Sequence, residues 1–219
     1  MDKIAIYDMD RTLTRTGTFT PFLIFAAKRR PWRMLGLPLY LFSLVGYPLG
    51  LLDRKQLKQF GFGLLIGRKV PAARLDALAQ AYAAHVEVHN LFGGSKARVA
   101  ADQAEGCRLV MATASPDFYV RAIAARLGFD EVIATRQARH ADGAYSHRIE
   151  GENCYGAEKL DRITSWLGVR RNACQVRFYS DHHSDAPVLE WADHAVAANP
   201  NAKLLALAEA RGWEVVRFA

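Results

Sequence analysis

Near the start of the chain, Asp8-Met9-Asp10-Arg11-Thr12 sets two carboxylates two positions apart. They follow residues 3–7 (KIAIY), a short apolar run that reads as a buried strand. On an extended chain end, side chains two apart point the same way, so both carboxylates can face one ligand. Thr113 follows a second such run at 108–112 (RLVMA), and Asp181 and Asp185 follow a third at 175–179 (QVRFY). Lys159 opens a helical stretch at 158–167. In an open parallel sheet, ligands bind beyond the carboxyl ends of the strands, so these residues are expected on one rim. Phosphoryl transfer asks for such a set: a nucleophile, an acid/base and positive charge on the phosphate oxygens. Asp8 is expected to attack phosphorus and carry an aspartyl-phosphate that water hydrolyses. Asp10 is expected to protonate the leaving alkoxide and then activate the water. Asp8, Asp181 and backbone or water oxygens make an all-oxygen set of the kind Mg²⁺ prefers. Lys159 and the Thr113 hydroxyl are expected to hold phosphate oxygens, with Asp185 in support. Ser115 is expected to cap the helix that Pro116 opens, and His182 and His183 to be loop residues rather than metal ligands.

Strands and helices alternate after Gly93-Gly94. Helices are expected at 95–105, 117–127, 158–167, 186–191 and 202–210, and strands at 108–112, 131–135, 175–179, 194–197 and 214–218. Asp142-Gly143 marks a hairpin turn within 140–149. This alternation predicts an α/β fold, a Rossmann-like three-layer parallel sheet covered on both faces. Residues 18–89 are helical and apolar-rich and interrupt the alternation straight after the first strand. The expected division is a core of 1–17 and 90–219 with a helical cap at 18–89.

DMDRTLT resembles the DxDxT signature of the haloacid dehalogenase (HAD) superfamily phosphatases. Thr113 is similar to that family's second motif, Lys159 in CYGAEKL to its third, and Asp181 and Asp185 in YSDHHSD to its fourth. The tail ANPNAKLLALAEARGWEVVRF resembles the phosphoserine-phosphatase-like subgroup. The resemblance implies the HAD fold, Asp8 as nucleophile, Asp10 as acid/base, and Mg²⁺ on Asp8, Asp181 and the Asp10 main-chain carbonyl. One position departs from it. Phosphoserine phosphatases carry a glutamate seven residues after the second aspartate, to meet the substrate amine; here Gly17 stands there, which argues against phosphoserine.

The chain has 219 residues, 51% of them apolar and 23% charged, which excludes a disordered chain. A net charge of +7 favours anionic partners. Three cysteines without a CxxC argue against a disulfide framework or zinc site and fit reduced thiols in a cytosol. The N-terminus does not read as a signal peptide. The basic stretch KRRPWR lacks the interleaved stacking surface that nucleic-acid binding needs.

Residues 34–52 (MLGLPLYLFSLVGYPLGLL) contain no charge, with Lys28, Arg29, Arg30 and Arg33 before them and Arg54, Lys55 and Lys58 after. As one helix they would reach roughly 28 Å, close to the ~30 Å of a bilayer's hydrocarbon. A single crossing would part Asp8 from Thr113, Lys159 and Asp181, and 60–67 is too short for a return. Two readings remain: a buried cap helix, or a segment lying on the membrane surface. The second is preferred. The stretch has no polar face, Pro38, Pro48, Gly36, Gly46 and Gly50 suit a bent path, and Trp32, Tyr40 and Tyr47 suit the headgroup level. Basic flanks place both ends on an anionic cytoplasmic face. A hydrophobic insert beside basic residues resembles the phosphatidylglycerophosphatase C family, which implies a lipid phosphate monoester as substrate and a peripheral position on the inner face of the cell membrane. The alternatives are a soluble phosphatase of a small metabolite, and a non-catalytic membrane or nucleic-acid binding module. Oligomeric state is not readable from the motifs.

Overall fold

A computed structural model describes residues 2–47 and 49–218. Six parallel strands form the central sheet: β1 (Asp2–Tyr7), β3 (Arg108–Pro116), β4 (Glu131–Thr135), β7 (Cys174–Ser180), β8 (His194–Ala198) and β9 (Glu214–Val216). Their order is β4-β3-β1-β7-β8-β9. The first strand is therefore central, with Tyr7 opposite Met111 on one side and Tyr179 on the other. Period-2 alternation divides the core. Ala5, Tyr7, Leu109, Met111 and Tyr179 face one buried cluster, and Ile4, Ile6, Val110, Ala112, Val176 and Phe178 face the other. Helices α4 (Ala72–His89), α5 (Gly93–Ala104) and α6 (Asp117–Arg126) supply residues to the first cluster, and α7 (Ala157–Leu167), α8 (Ala186–Trp191) and α9 (Ala202–Arg211) to the second. The expected α/β architecture is present, with boundaries within a few residues of those read from the sequence.

Residues 18–89 hold α1 (Phe19–Lys28), a 3₁₀ stretch (Pro31–Gly36), α2 (Leu37–Gly46), α3 (Arg54–Leu65), β2 (Lys69–Val70) and α4. They share the first core cluster: Phe22, Leu23, Tyr40, Phe62 and Tyr82 lie in the same buried group as Tyr7 and Tyr119. The predicted hairpin is β5 (Gln137–Arg139) and β6 (Tyr145–Ile149), turning through Gly143 at φ +78°. Its partner was not foreseen. β6 pairs antiparallel with β2, so a three-stranded sheet ties the helical block to the chain beyond β4.

The nineteen-residue apolar run is not one helix. It comprises the end of the 3₁₀ stretch and the ten residues of α2, after which Tyr47 and residues 49–52 lie in turns and bends. Pro38 does not bend α2, because it sits in the first turn, where its missing N–H has no partner to lose. Pro48 lies outside the described residues. Among the described residues no helix is long and apolar enough to cross a membrane. Within α2 only Tyr40 and Ser43 are buried, while Leu39, Leu41, Phe42 and Val45 are exposed. Tyr40 fixes the inner face: its hydroxyl bonds Thr20 Oγ1 at 2.9 Å, and its ring occupies space that any Cβ on Gly61 of α3 would need, 2.5 Å away.

Candidate active site

The carboxyl ends of β1, β3 and β7 bring the expected residues together around a cavity of about 240 Å³. Asp8, Asp10, Thr113, Lys159, Asp181 and Asp185 all line it, with Arg11, Arg54, Tyr155 and His182. The loop after β1 is tightly folded. Leu13 and Thr14 donate backbone N–H groups to the Met9 carbonyl. Arg11 is left-handed at φ +64°, a strained state for a residue with a Cβ. Its neighbours hold it there: Thr14 Oγ1 accepts its N–H at 3.2 Å, and Asn199 Nδ2 donates to the Arg11 and Thr12 carbonyls. This turn presents Asp8 and Asp10 to the same cavity.

Lys159 is the cationic centre. Its ammonium donates to Asp8 Oδ1 at 2.8 Å and to Asp185 Oδ2 at 2.6 Å, and it is 2% exposed. Burial works against its charge, but the carboxylates of Asp185 and Asp8 outweigh it and hold the proton above the usual amine range. Ser180 Oγ also donates to Asp185 Oδ2 at 2.7 Å, whereas Asp185 Oδ1 is buried without a partner among the described residues. Burial, and then the Asp185 charge, push Asp8 up to about 7 despite Lys159. Asp181 is pushed up to about 8, by burial first and then by Asp8 and Asp185.

Oxygen donors and surplus negative charge fit a hard divalent cation. Asp8 and Asp181 are buried together, and the Asp181 side chain accepts no hydrogen bond among the described residues. Lys159 pairs with Asp8 and Asp185, whereas Asp181 forms no ion pair among the described residues.

Four residues in this array, Thr12, Thr18, Ser115 and Lys58, have roles that sequence reasoning did not assign. Thr12 bridges the two strand ends: its hydroxyl donates to Asp8 Oδ2 at 3.3 Å and accepts the Asp181 N–H at 3.0 Å. Asp10 is clamped on both oxygens. Oδ1 accepts from the Thr18 N–H at 2.8 Å and the Thr18 hydroxyl at 2.7 Å, and Oδ2 accepts from Ser115 Oγ at 2.7 Å. Ser115 is therefore not a helix cap. α6 has Pro116 at its N-cap and no side-chain cap bond, because the serine hydroxyl is drawn to the stronger charged acceptor. Lys58 of α3 reaches the rim from the helical block and donates to the Ala114 carbonyl at 2.6 Å and Asn153 Oδ1 at 2.9 Å. Burial, then the nearby Arg54 charge, bring its amine down to about 7. His182 lines the cavity, but its Nδ1 faces Ser184, accepting that residue's N–H at 3.2 Å.

A family model, haloacid dehalogenase-like hydrolase, matches residues 5–190. The chain belongs to that family. A Mycobacterium tuberculosis protein named as a phosphoserine phosphatase is 32% identical over 154 residues, covering 69% of this chain and 49% of its own. The chain thus spans about half the length of that mycobacterial relative. A histidinol-phosphatase of Neisseria meningitidis is 28% identical over 124 residues, 55% of this chain and 56% of its own. A Bordetella pertussis crystal structure of unknown function superposes with a TM-score of 0.83 at 27% identity, covering 100% of both chains. This haloacid dehalogenase-like hydrolase thus has relatives named as phosphatases of small metabolites.

Proposed function

We propose that the chain is a Mg²⁺-dependent phosphomonoesterase whose substrate carries apolar chains and is met at a membrane surface. Asp8 is the nucleophile. Its carboxylate oxygen bonds to phosphorus as the P–O bond to the alcohol breaks, and Asp10 gives its proton to the departing oxygen. Asp10 then takes a proton from water. That water displaces Asp8 from the aspartyl-phosphate, releasing phosphate and returning Asp8 to its carboxylate and Asp10 to its protonated acid. Ser115 suits both stages, since its hydroxyl donates to Asp10 Oδ2 when the oxygen is bare and accepts when it carries the proton. Lys159 and Thr113 hold phosphate oxygens, and Asp185 and Ser180 hold Lys159. Asp8, Asp181 and the Asp10 main-chain carbonyl would hold the Mg²⁺. When bound, it offsets the repulsion between carboxylates and phosphate.

The observation that carries the substrate class is the surface of α2. Leu41, Phe42 and Val45 turn outward, and Trp32, Leu35, Leu49 and Leu51 beside them are also exposed. Large apolar side chains left exposed along so short a stretch of chain mark an interaction site. On the other side of α2, Tyr40, Leu44 and Tyr47 line a hollow of about 310 Å³ with Phe19 and Leu57, and the same hollow reaches Asp10, Ser115 and Lys58. A lipid phosphate lying in the bilayer can enter by that route. Gly17 lines the same hollow, and a Cβ there would meet nothing within 4 Å. In this reading 18–89 is the cap, peripheral on the inner face of the membrane. Phosphatidylglycerophosphate is the candidate substrate on the resemblance described above. The test is phosphate release, with Mg²⁺, from that lipid in mixed micelles, together with mass spectrometry of the acid-quenched enzyme for phosphate on Asp8. Failure to cleave any phosphomonoester sinks the enzymatic reading. Cleavage of soluble esters alone sinks the lipid.

A second reading, a soluble phosphatase of a small metabolite, is favoured by the names of the mycobacterial and neisserial relatives. It requires another partner to cover α2.

A further inference from the structure

α2 stands between two hollows. One is the apolar passage to Asp10. The other, about 880 Å³, is walled by Arg33, Ser43, Gln59, Arg68, His147 and Arg148. No carboxylate lines it, and it shares no residue with the cavity around Asp8. Among the described residues none of Arg33, Arg68 and Arg148 forms an ion pair. Other basic side chains of the protein do find acids, as Lys55 does with Glu152 and Lys69 with Asp142. The groove is nonetheless built. Arg33 Nη1 donates to the Leu64 carbonyl at 2.9 Å at the end of α3, and its Nε is buried without a partner among the described residues. The His147 N–H donates to the Arg68 carbonyl at 3.1 Å, extending the β2–β6 pairing and setting both residues on one wall. Arg30 and Arg33 also crowd Arg74, whose pKa is lowered by partial burial and then by their charge. Cations gathered without a counter-charge create a positive potential that an anion relieves.

We propose that this groove seats the phosphodiester headgroup of an anionic membrane lipid, a docking site separate from the one where the phosphate monoester is cleaved. The inference rests on the reading that α2 lies on a bilayer. Charge complementarity selects the occupant, because planar guanidiniums match phosphate oxygens by paired hydrogen bonds. Its position selects a lipid rather than a free ion. Leu52 and exposed Phe60 line the same groove, so the chains attached to the headgroup have apolar contacts beside it.

The experiment is co-sedimentation of the full chain with neutral phosphatidylcholine vesicles and with vesicles containing phosphatidylglycerol. The wild type is expected to bind both and to prefer the anionic ones. Arg68→Gln with Arg148→Gln should cut that preference about thirtyfold, the factor for roughly 1 kcal/mol per arginine, and leave neutral-vesicle binding in place. Arg170→Gln with Lys203→Gln removes the same charge beside α7 and α9, on the other side of the central sheet from 18–89, and should cost much less. Equal losses in the two double variants, or an unchanged preference in the first, overturn the groove while leaving membrane docking intact. A wild type that binds neither vesicle overturns the docking reading itself. Chemical shifts of the His147 ring in the wild-type chain give a second readout that needs no variant. They should move with a short-chain phosphatidylglycerol and much less with inorganic phosphate; an equal response to phosphate would overturn the lipid as occupant.

Discussion

The rim around Asp8 and the surface of α2 depart from ordinary packing in opposite ways. At the rim, Asp8, Lys159, Asp181 and Asp185, which would normally be in water, are buried. On α2, Phe42 and Val45, which would normally be buried, stand 76% and 58% exposed. Burial costs the rim charges their hydration, and the fold offsets it with short bonds to Lys159, Thr12 and Ser180. Among the described residues nothing covers these side chains on α2. The contrast assigns the two regions different partners. The rim suits a small dianion and a cation that complete its charge balance, and α2 suits an apolar phase that completes its burial.

The largest effect tests the rim side of this contrast. Asp8→Asn should lower kcat by roughly 10⁴-fold or more on every phosphate ester, lipid or soluble, because in the proposed mechanism Asp8 alone forms the bond to phosphorus. Residual activity near wild type would move the nucleophile elsewhere. Asp10→Asn follows, with an expected loss of about 10²–10⁴-fold that is smaller for esters whose leaving group needs no proton. If good and poor leaving groups lose equally, Asp10 is not the acid. The α2 side is probed by Phe42→Asp with Val45→Asp. Vesicle binding and kcat/KM for micellar lipid should fall at least about tenfold. Turnover of a soluble ester and the melting temperature should hold, because both side chains lie outside the core. Equal losses on both substrates would erase the distinction between the regions.

The smallest effect concerns Lys58, where the two regions meet. Its amine falls from 10.5 to about 7 on folding, so between these values the unfolded chain binds the extra proton. Stability must therefore rise with pH across that window, as folding no longer has to strip a proton from the amine. Melting temperatures of wild type and Lys58→Met should converge as pH climbs from about 7 toward 10.5. A constant gap would mean that Lys58 stays charged in the fold.

The rim was legible because the residues that position it are local. Each strand end carries its functional side chain within a few residues, so the run KIAIY and the pair Asp8 and Asp10 could be placed without knowing the rest. Ser115, Thr18 and Lys58 were not legible. Their partners lie 105, 8 and 56 residues away, and a hydroxyl that caps a helix reads the same in sequence as one that clamps a distant carboxylate. The pairing of β2 with the hairpin was hidden for a similar reason, since two residues carry no periodicity. For α2 the absence of a polar face was readable, but which face is buried was decided by Gly61 admitting the Tyr40 ring, a contact between helices.

The central claim is that chemistry sits at the rim and substrate choice at α2. Phosphate release from phosphatidylglycerophosphate in mixed micelles, set against its water-soluble headgroup at equal phosphate concentration, tests it most directly. A strong preference for the micellar lipid, abolished by Phe42→Asp with Val45→Asp, is the result this account predicts. Equal or faster turnover of the soluble headgroup would contradict it and leave α2 as the docking face for some other partner of a small-metabolite phosphatase.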